Sequence, residues 1–178
     1  FRRVLFRSRW RIDCRAVKPS LKSIAFLVLA LCLAAPLAGC GRDDKVAEGE
    51  TEGIYVDVGD VQYQVQISRQ LNPANVEDQS YLEGLPPGTR QPTRAETWFG
   101  VFLRAQNVGD KTVNTASKFE IFDTNHTNFE PIELERTNPF AYFASPLPPN
   151  GVLPIDDSPA ASGPIQGALL LFKLPIRS

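Results

Sequence analysis

A strict alternation of apolar and polar residues is the feature that most limits how this chain can fold. Residues 61–67 read VQYQVQI, which places Val61, Tyr63, Val65 and Ile67 on one face and the glutamines on the other. A period of two is that of a β-strand, in which successive side chains point to opposite faces. The stretch therefore predicts a strand with one buried face and one face in water.

Further strands are predicted along the rest of the chain. Residues 54–58 alternate in the same way, and residues 97–107 form the predicted central strand. Residues 111–123 predict one or two more strands, and the apolar run at residues 167–175 predicts the last one. The side chains expected to be buried are Phe99, Val101, Leu103, Phe119, Ile121, Leu169 and Leu171.

Turn signals separate these strands. Residues 124–128 predict a polar turn, after which residues 129–134 return as a hairpin partner. Residues 71–92 predict a long loop with a helical turn near residues 76–82.

Proline-rich connectors are predicted at residues 145–154 and 156–164, where no backbone donor is needed for a sheet. Short strands, turns between them and the lack of a convincing amphipathic helix predict an all-β sandwich over residues 54–178.

An apolar segment near the start of the chain ends close to a cysteine. Lys18 and Lys22 form a basic region, and residues 24–35 are 12 uninterrupted apolar residues that Pro36 brings to an end. This run is shorter than the ~18 residues of a membrane-spanning helix and has the length of a signal-peptide core. Residues 18–39 are therefore predicted to be a signal peptide.

The residues that follow, Leu37, Ala38, Gly39 and Cys40, resemble the lipobox of bacterial lipoproteins. The resemblance implies cleavage before Cys40 and attachment of lipid to its thiol. More than one acyl chain anchors a protein stably, because each buried methylene contributes ~0.8 kcal/mol. The expected location is the extracytoplasmic face of the cell membrane; a plain secretory signal and a short membrane anchor are the alternatives.

The segments on either side of the signal peptide are expected to lie outside the folded domain. The chain contains no Met and its opening resembles translated adapter sequence, so residues 1–17 are predicted to be a non-native extension. Residues 40–53 are charged, small and free of aromatic side chains, which predicts a flexible tether. Cleavage removes Cys14 and Cys32, so Cys40 has no partner for a disulfide.

Acidic residues dominate the chain after the predicted cleavage. Residues 1–39 hold eight of the 19 Lys and Arg residues and one of the 20 Asp and Glu residues, so residues 40–178 have a net charge of −8. Such a charge disfavours nucleic acids and anionic membrane surfaces as partners. The expected partners are the membrane, reached through the lipid on Cys40, and a protein or glycan at the cell surface.

A second resemblance covers the last half of the chain. Residues 101–111 are a strand followed by Asn-x-Gly-Asp-Lys, residues 119–131 hold Phe-x-Ile-Phe-Asp, a polar turn and Phe-Glu-Pro, and residues 163–175 end in Leu-Leu-Phe-Lys-Leu-Pro. This order is similar to the telokin-like, immunoglobulin-like domain of unknown function found in bacterial lipoproteins. The resemblance implies an immunoglobulin-like sandwich at the cell surface, and it implies no reaction.

The same resemblance bears on the end of the sandwich. The family usually has one further strand after the final proline, whereas only residues 176–178 follow Pro175 here. The last strand of the sandwich is therefore expected to be missing. Residues 168–172 are apolar on both faces, as covered strands are. Without a following strand to pair with, the second backbone edge of residues 168–173 is expected to lie open.

Few residues in the predicted domain carry chemistry. His126 is its one histidine, and none of the common catalytic or metal-binding motifs occurs. Asp123, Asn125 and Thr127 alternate as in a calcium loop, but Leu134 stands where such a loop has glutamate. The sequence therefore predicts a hairpin turn here, with no metal site, no cofactor and no enzymatic activity.

Aromatic residues near the proline-rich loops support two interpretations. Phe140, Tyr142 and Phe143 lie beside these loops, and Trp98 has the outward register of its strand. Exposed aromatic residues form binding patches for peptides or glycans. Alternatively, they close the open end of the core, as large aromatic side chains commonly do, and this is the favoured interpretation.

Together these features predict a lipid-anchored β-sandwich that acts as a binding or structural module. One alternative is an accessory domain that assists a neighbouring transporter or cell-wall enzyme. A less favoured one is an enzyme or a metal-dependent factor, because no catalytic constellation is visible.

Overall fold

A computed structural model describes the backbone of residues 3–7 and 46–176 and the side chains of residues 47–176. Antiparallel β-strands make up most of the regular structure in these residues, and the helices are short. The fold is therefore all-β, as predicted. The predicted signal peptide with Leu37, Ala38, Gly39 and Cys40 lies outside the described residues.

The elements are numbered here in chain order. The strands are β1 (Arg3–Arg7), β2 (Val46–Gly49), β3 (Tyr55–Val58), β4 (Val61–Leu71), β5 (Glu96–Asn107), β6 (Val113–Asn114), β7 (Lys118–Phe122), β8 (Asn128–Phe129), β9 (Pro146–Leu147), β10 (Val152–Leu153) and β11 (Ala168–Pro175), and the helices are α1 (Val76–Tyr81) and α2 (Pro159–Ser162).

The largest sheet is built around β5. One edge of β5 pairs with β4, and β3 lies beyond β4. The other edge of β5 is shared by two strands, because β11 pairs with its first part and β10 with Ala105 and Gln106. The predicted strands at residues 54–58, 61–67, 97–107 and 167–175 are confirmed as β3, β4, β5 and β11.

A second sheet has the order β2-β1-β7-β8, and β6 pairs separately with β9. The predicted hairpin around residues 124–128 is confirmed, because β7 and β8 pair through Ile121 with Phe129 and through Phe122 with Asn128. Its returning arm was predicted to run over residues 129–134, but pairing with β7 ends at Phe129. The predicted helical turn near residues 76–82 is confirmed as α1.

Three predictions about irregular segments were wrong. Within the predicted tether, Val46–Gly49 is β2, the Glu52 carboxylate accepts a hydrogen bond from the Ser68 N–H at 2.6 Å, and the Gly53 N–H donates to the Val65 carbonyl at 2.8 Å. Backbone pairing here outweighs the charged composition that suggested flexibility. The predicted connectors also contain regular structure, namely β9, β10 and α2.

The strand β1 lies within residues 1–17, which were expected to stand outside the folded domain. It pairs with β7 over five positions and with β2 over four. The exposed backbone edge of one strand is a template that any extended segment can pair with. The non-native origin of residues 1–17 stays a prediction.

The main hydrophobic core, called the first core, lies on one face of the large sheet and packs against β7. Inward residues of β4, β5, β7 and β11 supply it, as their alternation predicts. Its buried members are Val58, Val61, Tyr63, Val65, Val101, Leu103, Ala105, Ala116, Phe119, Ile121, Leu147, Leu170, Phe172 and Leu174.

Burial is confirmed for six of the seven side chains predicted to be inside. The exception is Phe99, which is only partly buried against the first core. Ile67 also departs from its predicted face, because a β-bulge between Val65 and Ile67 shifts the pairing of β4 with β5. A shift of one residue turns the following side chains to the opposite face of the sheet. Ile67 and Leu71 therefore pack on the face that lies away from the first core.

The opposite face of the large sheet is covered too. Helix α1 and the irregular segment at residues 131–141 pack on it and form what is called the second core. Its buried members are Leu71, Tyr81, Trp98, Phe102, Leu134, Leu169 and Leu171. The central strand β5 is thus buried on both faces, which explains its nearly continuous apolar sequence.

Buried polar side chains hold the cover of the second core in place. Asp78 in α1 pairs with Arg69 of β4 and accepts a hydrogen bond from the Asn72 N–H at 2.7 Å. Asn138 donates to the carbonyls of Tyr81 and Glu83 at 3.2 and 2.8 Å. These bonds fix irregular backbone that has no sheet ladder of its own.

The expectation of an open second edge along β11 was wrong. The Leu171 carbonyl accepts a hydrogen bond from the Ile132 N–H at 2.7 Å, and Leu169 bonds with the Phe140 carbonyl at 2.7 Å and the Tyr142 N–H at 2.8 Å. The covering segment itself occupies this edge. The missing last strand stays a prediction.

Candidate binding cleft

A cleft of about 630 Å³ opens between β7 and the two segments that border the second core. One wall is residues 117–120, at the start of β7, and the other walls are residues 130–136 and 141–144. Apolar side chains from β11 and Tyr142 contribute to its floor. Binding clefts for small ligands have volumes of about 300–1,000 Å³, so this one is large enough for a ligand.

The cleft exists because the β7–β8 hairpin separates early. β8 has only two residues, and it pairs with the last two residues of β7. Pro131 follows shortly afterwards and has no N–H to continue a ladder. The chain then crosses to β11, where Ile132 donates to Leu171, and leaves a gap beside the first half of β7.

The far wall is positioned by backbone and side-chain hydrogen bonds. Tyr142 bonds to β11 through its N–H, and its hydroxyl donates to the Ala116 carbonyl at 2.7 Å. The Tyr63 hydroxyl accepts a hydrogen bond from the Ala116 N–H. Both tyrosines therefore hold the chain before β7 against the first core.

Burial raises the pKa of both tyrosines. The pKa of Tyr142 is held well above its usual value by loss of water, with the nearby Tyr63 adding to this effect. The pKa of Tyr63 is also raised by burial, and the hydrogen bond from Ala116 opposes that rise. Both hydroxyls are thus neutral hydrogen-bonding groups at neutral pH.

The segment at residues 132–135 alternates between inside and outside. Ile132 is partly buried against the second core and Leu134 is buried in it, whereas Glu133 and Glu135 are exposed. Alternation of this kind is that of an extended chain. The second core thus fixes the wall of the cleft from behind and turns its acidic side chains outward.

Charged side chains line the cleft unevenly. Four glutamates, Glu120, Glu130, Glu133 and Glu135, line it together with two cations, Lys118 and Arg136. Within residues 47–176, none of the four carboxylates accepts a side-chain hydrogen bond or forms an ion pair. The guanidinium carbon of Arg136 lies 4.9 Å from the ring centre of Phe143, close enough for a cation–π contact.

The four aromatic residues of the predicted patch lie in different parts of the structure. Tyr142 and Phe143 line the cleft. Trp98 is only 1% exposed and lies in the second core, so the outward register predicted for it leads into a covered face. Phe140 packs against Tyr81, with their ring centres 4.8 Å apart. The four residues therefore do not form one exposed surface.

The turn around His126 is held by hydrogen bonds from its backbone to the Asp123 carboxylate. The Asp123 carboxylate accepts hydrogen bonds from the N–H groups of Asn125 and Thr127 at 2.9 and 2.8 Å. The bond from Thr127 is the main reason that the pKa of Asp123 is lowered. In the described part of the chain, no group of three or more His, Cys, Asp or Glu side chains is placed to hold a metal ion.

The acidic wall was missed in the sequence analysis. The stretch IELE at residues 132–135 has the same alternation that identified β4, but it is only four residues long. Glu120 and Glu130 are brought to the cleft by the hairpin and by the early separation of its arms. The fold brings the four carboxylates together around the cleft.

No protein-family model, curated protein or solved structure matches this chain. Among the described residues, neither helix has the length and apolarity needed to cross a membrane.

Proposed function

We propose that this protein is an immunoglobulin-like β-sandwich, lipid-anchored at Cys40 on the extracytoplasmic face of a membrane, and that it acts as a binding module without catalytic activity. The cleft beside β7 is its binding site. The anchor and the cleft can be tested separately.

The packing of the first core supports the sandwich. Side chains of the large sheet meet those of β7 across this core, and the rings of Tyr63 and Phe119 lie 6.1 Å apart in an edge-to-face arrangement. Tyr142 extends the contact, with its ring centre 4.9 Å from that of Phe119. Two sheets that bury their inner faces against each other are the basis of a β-sandwich.

The cleft is the observation that carries the binding function. It combines apolar side chains with several charged groups, and ligand sites likewise place polar groups beside apolar surface. Its walls are fixed by hydrogen bonds to β11 and by the second core, so the site is formed before a ligand arrives. A formed site binds without the cost of ordering its walls.

The anchor is tested by changing its thiol. Cys40→Ala removes the group that the lipid is attached to, and Cys32→Ala, within the predicted signal peptide, is the matched control. We expect the Cys40 variant to lose processing or membrane attachment and the Cys32 variant to behave like the native chain. A Cys40→Ala protein that is processed like the native chain and still partitions fully into the detergent phase would refute the anchor.

The cleft is tested by mapping where small molecules bind. The full, ¹⁵N-labelled chain is titrated with a fragment library of mixed charge, and the shifted amides are assigned. We expect the shifts to cluster on residues 117–120 and 130–136. A cluster elsewhere, with these segments unchanged, would contradict the cleft as the binding site.

A further inference from the structure

The cleft has more acidic than basic side chains above an apolar floor, and we propose that it binds an extended, lysine- or arginine-bearing segment of a partner protein. This inference rests on the proposed binding function and adds the chemical class of the ligand. It follows from the charge, the spacing and the shape of the walls.

The charge of the cleft favours a cationic ligand. Among residues 47–176, four carboxylates and two cations give the lining a net charge of −2. Arg136 already contacts the ring of Phe143, and no carboxylate in the cleft is paired with a cation of residues 47–176. A cationic ligand thus meets carboxylates that need not first break an internal ion pair, and complementary charge also steers its approach.

The spacing of two carboxylates favours an extended ligand. Glu133 and Glu135 are both exposed and are separated by one inward residue, Leu134. Alternate residues of an extended chain are about 6.5–7 Å apart. An extended peptide presents alternate side chains at the same interval, so two of its cations can face these two carboxylates at once.

The floor suits the stems of lysine and arginine. These side chains bury their methylene groups against apolar surface and keep the charged end in water. Tyr142 and Phe143 supply aromatic surface beside the acidic wall. A basic peptide can therefore pack its methylene groups on the floor and place its charges beside the carboxylates at the same time. A free polyamine has no peptide backbone to lie along β7.

Three peptides of equal length test the charge. They are the acetylated, amidated sequences Lys-Leu-Lys-Leu-Lys, Gln-Leu-Gln-Leu-Gln and Glu-Leu-Glu-Leu-Glu, titrated into the full chain in a zwitterionic detergent and followed by amide shifts and calorimetry. Spermidine is a fourth probe that separates a peptide from a free polyamine. We expect the lysine peptide to bind most tightly, with amide shifts in the cleft, and its affinity to fall as salt is raised.

Paired variants test which carboxylates act. Glu133→Gln with Glu135→Gln removes two charges and keeps the shape of the wall. Asp110→Asn with Asp157→Asn removes two exposed charges outside the cleft and is the matched control. We expect the first pair to raise the Kd of the lysine peptide about threefold to tenfold and the control pair to leave it nearly unchanged.

The outcomes separate the two proposals. Equal affinity for the lysine and glutamine peptides in the cleft would overturn the charge selectivity and leave the binding function standing. Spermidine bound as tightly as the lysine peptide, or an unchanged Kd in the double glutamine variant, would also overturn the inference. If no probe shifts the amides of the cleft, the inference fails, and the fragment titration decides whether the binding function stands.

Discussion

The two faces of the large sheet are covered by different means. The first core is closed by another strand, β7, and its inward residues follow the period-two pattern of long strands. The second core is closed by a six-residue helix and irregular chain, and its cover is held by Asp78 and Asn138. A regular strand satisfies its own backbone in a ladder, whereas irregular chain needs buried side chains as partners. Replacing a single buried polar residue is therefore expected to destabilise the cover of the second core.

The largest expected effect compares adjacent residues of β5 that face opposite cores. Phe102→Ala removes a side chain from the second core, and Leu103→Ala removes one from the first core. Both side chains are fully buried. We expect each to lower the free energy of unfolding by about 3–5 kcal/mol in urea titrations, because each leaves a cavity. Arg104→Ala, on an exposed side chain of the same strand, is the control and should change it by less than about 0.5 kcal/mol. A small loss for Phe102 alone would show that the second face is loosely covered.

The next prediction concerns the polar group under α1. Asp78→Ala leaves the Asn72 N–H without its acceptor and Arg69 without its carboxylate partner, so we expect a loss of about 2–3 kcal/mol. Hydrogen exchange should show faster exchange in α1 with β7 unchanged. Loosening of β7 to the same extent would contradict a separate second core.

Acid should weaken the same contact. Burial raises the pKa of Asp78, but the hydrogen bonds from Arg69 and Asn72, together with the charge of Arg69, outweigh burial and lower it below 3.8. A lowered pKa contributes stability that is present above the unfolded value and is lost as pH falls through the folded one. The stability difference between the native protein and Asp78→Ala should therefore shrink below about pH 4. A difference that is constant from pH 7 to pH 2 would contradict this.

The first core should weaken at alkaline pH. Tyr63 and Tyr142 have a raised pKa, so their contribution is complete below the unfolded value of about 10 and is lost as pH rises towards the folded one. Tyr142→Phe removes one hydroxyl and its bond to Ala116, at a cost of about 1 kcal/mol near pH 7. It should also reduce the slope of stability against pH above 10. An unchanged slope would show that groups other than Tyr142 cause the loss of stability above pH 10.

The sequence predicts the first core well because strand alternation is a local signal. Val61, Tyr63 and Val65 identified their inward face, and the bulge that turns Ile67 away leaves no mark in that pattern. The second core depends on residues far apart in the chain. Trp98, for example, is covered by a segment more than thirty residues later, which no local pattern reveals.

The motif Asn-x-Gly-Asp-Lys shows how a sequence signal gains its meaning from the fold. Asn107 is fully buried, donates to the carbonyls of Leu147 and Lys111 at 2.9 and 2.7 Å, and accepts from the Gly109 N–H at 2.9 Å. A Cβ at Gly109 would lie 2.8 Å from the Cβ of Asp60, which favours glycine there. The motif closes the turn after β5 and lies outside the cleft.

The cleft could be predicted only in part. Tyr142 and Phe143 were candidates for binding from their aromatic character, and both line it. The acidic wall arises where β8 ends after two residues and Pro131 stops the ladder, so its position depends on where a hairpin separates. Strand ends of that kind depend on tertiary packing more than on local sequence.

Whether Trp98 is buried is the most direct test of the second core. A buried Trp98 means that this core lies beneath a cover, and an exposed one means that Trp98 belongs to an outer aromatic patch. The chain has two tryptophans, so Trp10→Phe leaves Trp98 as the only source of tryptophan fluorescence. Acrylamide quenching of this variant is compared before and after unfolding in urea. A covered Trp98 should give blue-shifted emission and weak quenching in the folded protein, followed by strong quenching after unfolding. Strong quenching of the folded protein would show that Trp98 lies on an open surface, and it would contradict both the second core and the cleft wall that it supports.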